Sequence, residues 1–169
     1  GVGGDKSQAP IGDWDYWVIK IDGLGNKMWD KRYGGNVKDA SSAVVVTASG
    51  EFLIAGSSRL TPGGDWDFRA VKANSTGDQI WNKRYRANAV DGANDIVLTT
   101  EGGFLLAGHS GSSAGDSKSE GSRGSYDYWA VKADASGNKI WDKRFGGSDG
   151  DYCYSLVATN GEYILAGKS

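Results

Sequence analysis

Short apolar runs recur along the chain, each too brief for a helical stripe to develop. Val44-Val45-Val46-Thr47 is a compact β-branched run, followed after a Ser49-Gly50 turn by Phe52-Leu53-Ile54-Ala55. Two further runs, Tyr16-Trp17-Val18-Ile19-Lys20-Ile21 and Met28-Trp29-Asp30-Lys31-Arg32-Tyr33, mix apolar and polar residues. No stretch of ten or more residues places apolar side chains at helical spacing, so periodicity argues for strands. The pattern predicts strands at residues 16–21, 28–33, 44–47 and 52–57, with almost no helix. The first two are joined by Asp22-Gly23-Leu24-Gly25-Asn26, where an Asx side chain can bond its own backbone and Gly supplies positive φ.

The same blocks occur three times. Asp15-Tyr16-Trp17-Val18-Ile19-Lys20 returns as Asp67-Phe68-Arg69-Ala70-Val71-Lys72 and as Asp127-Tyr128-Trp129-Ala130-Val131-Lys132. Trp29, Trp81 and Trp141 each open Trp-x-Lys-Arg-aromatic, and Leu53-Ile54-Ala55-Gly56 has counterparts at Leu105 and Ile164. Four strands per unit, repeated with a Trp in each, predict four-stranded antiparallel blades of an all-β propeller. Residues 44–47 would be innermost and residues 28–33 outermost. The long connections, 34–42 and 57–64 with their equivalents, then share one rim, which includes the extra residues between His109 and Ser125. Loops on a rigid scaffold carry function, so this is the rim to inspect.

Within residues 1–169 the units divide as an outer strand pair (1–41), two blades (42–91 and 92–151) and an inner strand pair (152–169). Three blades' worth is too few to close a ring that typically needs four to eight. A second copy of the chain is therefore the expected partner, its strand pairs completing a six-bladed ring. The alternative is a segment of a longer array.

Composition narrows the classes. The formal net charge of -2, from 19 basic and 21 acidic residues, lacks the positive field that nucleic-acid backbones require. One Cys excludes an internal disulfide framework, and with one His it excludes the common structural zinc sites. No run of about 18 apolar residues is present to span a membrane as a helix. There is no initiator Met and no basic-then-apolar leader, which reads as a mature chain or an excised segment.

The motifs Asp-Tyr-Trp-x-x-Lys, Gly-Asn-Lys-x-Trp-Asp-Lys-Arg-Phe-Gly-Gly and Gly-x-x-x-Leu-Ala-Gly span nearly the whole chain. They resemble the Gly-rich propeller repeats of large secreted and cell-surface proteins of Gram-negative bacteria, arrays that often precede a type IX sorting domain. Gly4-Asp5-Lys6-Ser7-Gln8 is similar to that family's spacer. The resemblance implies an extracellular or cell-surface propeller and no particular enzyme, since fold alone does not give function.

Candidate chemistry follows the repeat. Trp29, Trp81 and Trp141 suit a wedge between neighbouring blades. In each Lys-Arg pair that follows, strand geometry sends the two side chains to opposite faces, one toward a repeated Asp. Asp15, Asp67 and Asp127 suit turn capping. Trp14, Trp66 and Tyr126 occupy equivalent loop positions, and with Trp17, Asp13 and Asp65 they combine flat rings and polar groups as a sugar site does. Repetition would make such a site a multivalent lectin through avidity. Asp39, Asp91, Asp95, Asp149 and Asp151 all enter inner strands, so a calcium ion at the channel mouth is the cofactor to consider, although no full ligand loop appears. His109 and Cys153 have no triad pattern around them. Glu51, Glu101, Glu120 and Glu162 fall in turns or the long insertion, without the facing pair that glycoside hydrolysis needs. The leading expectation is a non-catalytic binding or adhesion module. A polysaccharide-active propeller enzyme with a cation at the channel mouth and a structural spacer or fibre repeat remain the alternatives.

Overall fold

The computed structural model describes residues 3–169. Its twelve strands run β1 (Tyr16–Ile21), β2 (Lys27–Tyr33), β3 (Asp39–Val46), β4 (Phe52–Arg59), β5 (Trp66–Ala73), β6 (Gln79–Tyr85), β7 (Asp91–Leu98), β8 (Phe104–Ser110), β9 (Asp127–Ala133), β10 (Lys139–Phe145), β11 (Tyr152–Thr159) and β12 (Glu162–Lys168). No helix occurs among the described residues. The strands form two complete antiparallel sheets, β3-β4-β5-β6 and β7-β8-β9-β10, flanked by two half-sheets, β1-β2 and β11-β12. Sheet order follows chain order throughout, so the architecture is a hairpin, two four-stranded meanders and a second hairpin.

The predicted turn chemistry closes each β1–β2-type hairpin. Asp22 Oδ1 accepts the Leu24 and Asn26 N–H groups, Asn74 Oδ1 those of Thr76 and Asp78, and Asp134 Oδ1 those of Ser136 and Asn138. The strand expected at residues 44–47 starts earlier. β3 begins at Asp39, whose N–H donates to the Trp14 carbonyl, while Arg59 N–H donates to Lys38 O. The boundary drawn at residue 42 thus falls inside a strand. Asp39-Ala40-Ser41-Ser42-Ala43 has no apolar alternation and takes its extended form from the ladder with β4.

Each sheet packs face to face on the next. The largest core lies between the two complete sheets, joining Leu53, Ala55 and Phe68 to Ile96, Leu106 and Trp129. A second joins Tyr16 and Tyr33 to Ile54 and Val71, and a third joins Leu105 and Ala130 to Cys153 and Leu156. Both faces of each complete sheet are therefore apolar and covered, which accounts for strands that are buried along most of their length.

The repeated Trp residues do act between sheets. Trp29 meets Phe52 edge-on at 5.6 Å and Trp81 stacks with Phe104 at 6.0 Å, while Trp141 packs against the third core. The same outer strand hooks onto the neighbour's hairpin, where Tyr33 donates its hydroxyl to Gly77 O (2.7 Å) and Tyr85 donates to Gly137 O (3.0 Å). Gly77 and Gly137 have φ of +83° and +79°, and a Cβ at either would strike the Lys31 or Lys83 side chain. Glycine is required there by conformation and by contact.

Candidate functional site

The long connections bring Asp13, Trp14 and Trp66 to one rim. Trp14 is anchored by its backbone, and its indole is 55% exposed with Lys38 Nζ 4.5 Å from the ring centroid. Beside it opens a cleft of about 220 Å³ lined by Asp13, Asn36, Lys38, Arg59, Pro62 and Gly63. Arg59 lies over the Trp66 ring at 5.0 Å, so each indole flanking this cleft carries a cation on one face.

The next junction repeats the arrangement. A cleft of about 290 Å³ is lined by Thr61, Asp65, Asp67, Arg86, Asn88 and Asp116 among others. Asp65 and Asn88 are the repeat counterparts of Asp13 and Asn36. Burial pushes the Asp67 carboxyl up, opposed by the Arg86 and Arg84 guanidiniums. Carboxylate, amide and guanidinium together offer both acceptors and donors, the set that grips vicinal hydroxyls.

The third unit departs from this. Tyr126 is anchored like Trp14, its carbonyl accepting the Asp151 N–H, but Ser125 and Ser148 replace the Asp–Asn pair. Instead Tyr126 joins an aromatic cluster with His109 at 5.5 Å and Tyr152 at 5.2 Å, and Tyr152 stacks on Tyr154 at 6.5 Å. Burial holds the His109 ring below its ordinary pKa, which favours the neutral imidazole. Sequence reasoning missed this cluster. The available signal was that Tyr152, Tyr154 and His109 stand where the other units have Ala40 or Gly92, Ser42 or Asn94, and Ser57.

Trp17 does not join the rim. It sits within β1, donates Nε1–H to Asp30 Oδ2 (3.1 Å), and has Lys6 Nζ 4.9 Å from its ring. Asp15 and Asp127 cap turns, accepting the Ile11 and Arg123 N–H groups and facing Arg32 and Arg144.

The five inner-strand aspartates are dispersed by the fold. Asp39 pairs with Arg69 at 2.6 Å and accepts Gly35 N–H, whereas Asp91 accepts the Ser112 hydroxyl. Asp95 accepts Leu156 N–H on the neighbouring half-sheet, and Asp151 accepts Gly147 N–H. Asp149 takes part in none of these contacts. Among the described residues no group of three or more His, Cys, Asp or Glu is placed to hold a metal ion. Cys153 is a free, buried thiol that burial pushes above its ordinary pKa. Among the described residues no helix is long and apolar enough to cross a membrane. No family model matches the chain, and no curated protein matches it.

Proposed function

We propose that the sheets are blades of a propeller, that one chain supplies half of a six-bladed ring completed by a second copy, and that the ring is a non-catalytic extracellular binding module whose long-connection rim takes glycans. The observation that carries the binding reading is the recurrence of one polar cleft at two successive junctions, each with an Asp–Asn pair, the first of them also lined by the cations that stack on Trp14 and Trp66. Sugar hydroxyls are gripped by directional donors and acceptors, and these walls offer such a set, with the Trp14 and Trp66 rings lying beneath the Lys38 and Arg59 cations of the first cleft. Two equivalent sites per chain are shallow singly and add through avidity on a surface-bound glycan. The extracellular setting rests on the resemblance of the repeats to secreted propeller arrays.

A glycan array probed with and without calcium tests this reading. Binding is expected to survive chelation, because among the described residues no group of three or more His, Cys, Asp or Glu is placed to hold a metal ion. Asn36→Ala should weaken it about ten-fold, the worth of one well-placed hydrogen bond of about 1.4 kcal/mol. An array silent in both conditions would overturn the glycan reading.

A further inference from the structure

The two half-sheets are complementary at the level of individual residues. In both complete sheets the second strand pairs with the third in one register. Ile54 faces Val71, Ala55 faces Ala70 and Gly56 faces Arg69, and equivalently Leu106 faces Val131, Ala107 faces Ala130 and Gly108 faces Trp129. By the repeat, β12 is a second strand and β1 a third. Each has a ladder partner on one side only among the described residues, and they are not neighbours in any sheet of the chain. Unpaired edges of this kind are templates for strand addition.

Burial marks the surface that such an addition would cover. Ile19 is 39% exposed while its counterparts Val71 and Val131 are at 0%, and Ile164 is 59% exposed while Leu53 and Leu105 are at 3% and 1%. Along the open edge of β1 runs a cleft of about 350 Å³ lined by Val18, Ile19, Ser42, Val44 and Ile54 among others. In the complete sheets that position beside the third strand is filled by the second.

The loops agree independently. Residues 3–8 reproduce residues 115–120: Gly3 bridges Lys6 as Gly115 bridges Lys118, and φ at the first two positions is 153° and 59° against 149° and 47°. Ser7 N–H bonds Asp30 as Ser119 N–H bonds Asp142. Lys118 is buried and donates to Ser110 Oγ at 2.7 Å, Ser110 being the last residue of β8. Lys6 is exposed, and the residue in the Ser110 position, next after the end of β12, is Ser169. Likewise Trp129 packs on Phe68 at 4.6 Å, and the counterparts of that pair are Trp17 and Tyr128, which do not meet within one chain.

We propose that β12 of one copy pairs antiparallel with β1 of a second copy, with Leu165 facing Ile19, Ala166 facing Val18 and Gly167 facing Trp17. The joint sheet then has the order β11-β12-β1-β2, Lys6 reaches Ser169 of the second copy, and Trp17 lies on Tyr128 of the second copy. A two-fold axis makes the contact twice and leaves neither β12 nor β1 open on either copy. The inference rests on the ring reading above and specifies its interface.

Cysteine pairs read the register directly. In a Cys153→Ala background, Ala166→Cys with Val18→Cys is expected to give an intermolecular disulfide under mild oxidation, because directly opposed residues bring their Cβ atoms within reach. Ala166→Cys with Lys20→Cys, two residues out of register, is expected to give none. Light scattering on the unmodified chain should report twice the 17.9 kDa of one chain, and Ile19→Lys should return it to a single-chain mass with its β circular dichroism intact. An in-register cross-link with a series of longer polymers would keep this pairing and remove the six-sheet ring. A dimer that cross-links only out of register, or not at all, would overturn the pairing while leaving the ring to another interface. A monomer without a cross-link would overturn both.

Discussion

At one repeat position the first complete sheet carries Arg69 where the second carries Trp129 and the first half-sheet carries Trp17. The surroundings change with it. Trp129 donates to Asp142, which also accepts from Lys139 Nζ and from the Ser119 backbone and hydroxyl. Trp17 does the same with Asp30, Lys27 and Ser7. In the sheet with Arg69, the corresponding residues are the neutral Asn82 and Gln79, and the guanidinium turns instead to Asp39 and stacks over Tyr16 at 5.1 Å. The two Trp units are also the ones with the Gly-x-x-Lys-Ser loop. The lesson is that this loop is clamped from beneath by a carboxylate on the outermost strand, and that a unit without the loop drops the whole Asp–Lys–Trp set. The buried charge is then spent inside the sheet, on Arg69 and Asp39.

The comparison breaks most severely at Arg69. Its side chain and that of Asp39 are 2% and 0% exposed. Arg69→Met leaves a carboxylate buried with only a backbone N–H, and should cost about 3–5 kcal/mol in urea denaturation. Adding Asp39→Asn should recover part of that, because the unpaired charge is then gone. Equal instability of the single and double variants would show that the guanidinium acts by packing rather than by charge.

Asp142→Ala comes next. It removes the acceptor for Trp129, Lys139 and Ser119 at once, and about 2–4 kcal/mol is the expected loss. Hydrogen bonds from Lys139, Ser119 and Trp129 hold this carboxyl below its usual range although burial raises it. The clamp is accordingly intact above the ordinary carboxylate pKa and lost as pH falls through the lowered one. Asn82→Ala is the control, since that residue is exposed and should change stability by less than about 0.5 kcal/mol. Faster amide exchange confined to residues 117–119 in Asp142→Ala would locate the effect in the loop.

Much of this was legible in the sequence and some was not, for identifiable reasons. The repeat, the four strands per unit and the Asx hairpins depend on local pattern and on side chains that bond their own backbone, as Asp22, Asn74 and Asp134 do. The starts of the inner strands were hidden, because residues 39–43 are extended through ladder bonds rather than alternation. Asp39 and Arg69 lie 30 residues apart, so their pairing appears only when β3 and β5 flank β4. The rim clefts were half visible. Asp13, Trp14, Asp65 and Trp66 stood out, but Asn36, Arg59 and Asn88 come from other connections. The Tyr126–His109–Tyr152 cluster needs three strands' ends to converge, which no spacing reveals.

The effect that sharpens the comparison furthest concerns the residue corresponding to Asp39 in the second sheet. Asp91 is fully buried like Asp39, yet no arginine faces it, because Trp129 occupies the Arg69 position. Its partners are the Ser112 hydroxyl, the Ser110 hydroxyl and the more distant Lys118 ammonium, with Asp67 adding repulsion. Burial outweighs these and pushes its pKa up to about 6 from 3.8. The folded chain therefore binds this proton more tightly than the unfolded chain, and stability should fall as pH rises from about 4 to about 6, then level off. The drop attributable to Asp91 is on the order of 3 kcal/mol at most, from about 1.4 kcal/mol per pH unit between the two pKa values. Asp91→Asn should be the more stable protein at pH 7 and equal to the unmodified chain near pH 4, whereas Asp39→Asn should be the less stable protein at pH 7 because Arg69 loses its counter-charge. Parallel melting curves at pH 4, 5, 6 and 7 read the difference, and identical pH profiles for Asp91→Asn and the unmodified chain would mean that Lys118 already neutralises the site as Arg69 does in the first sheet.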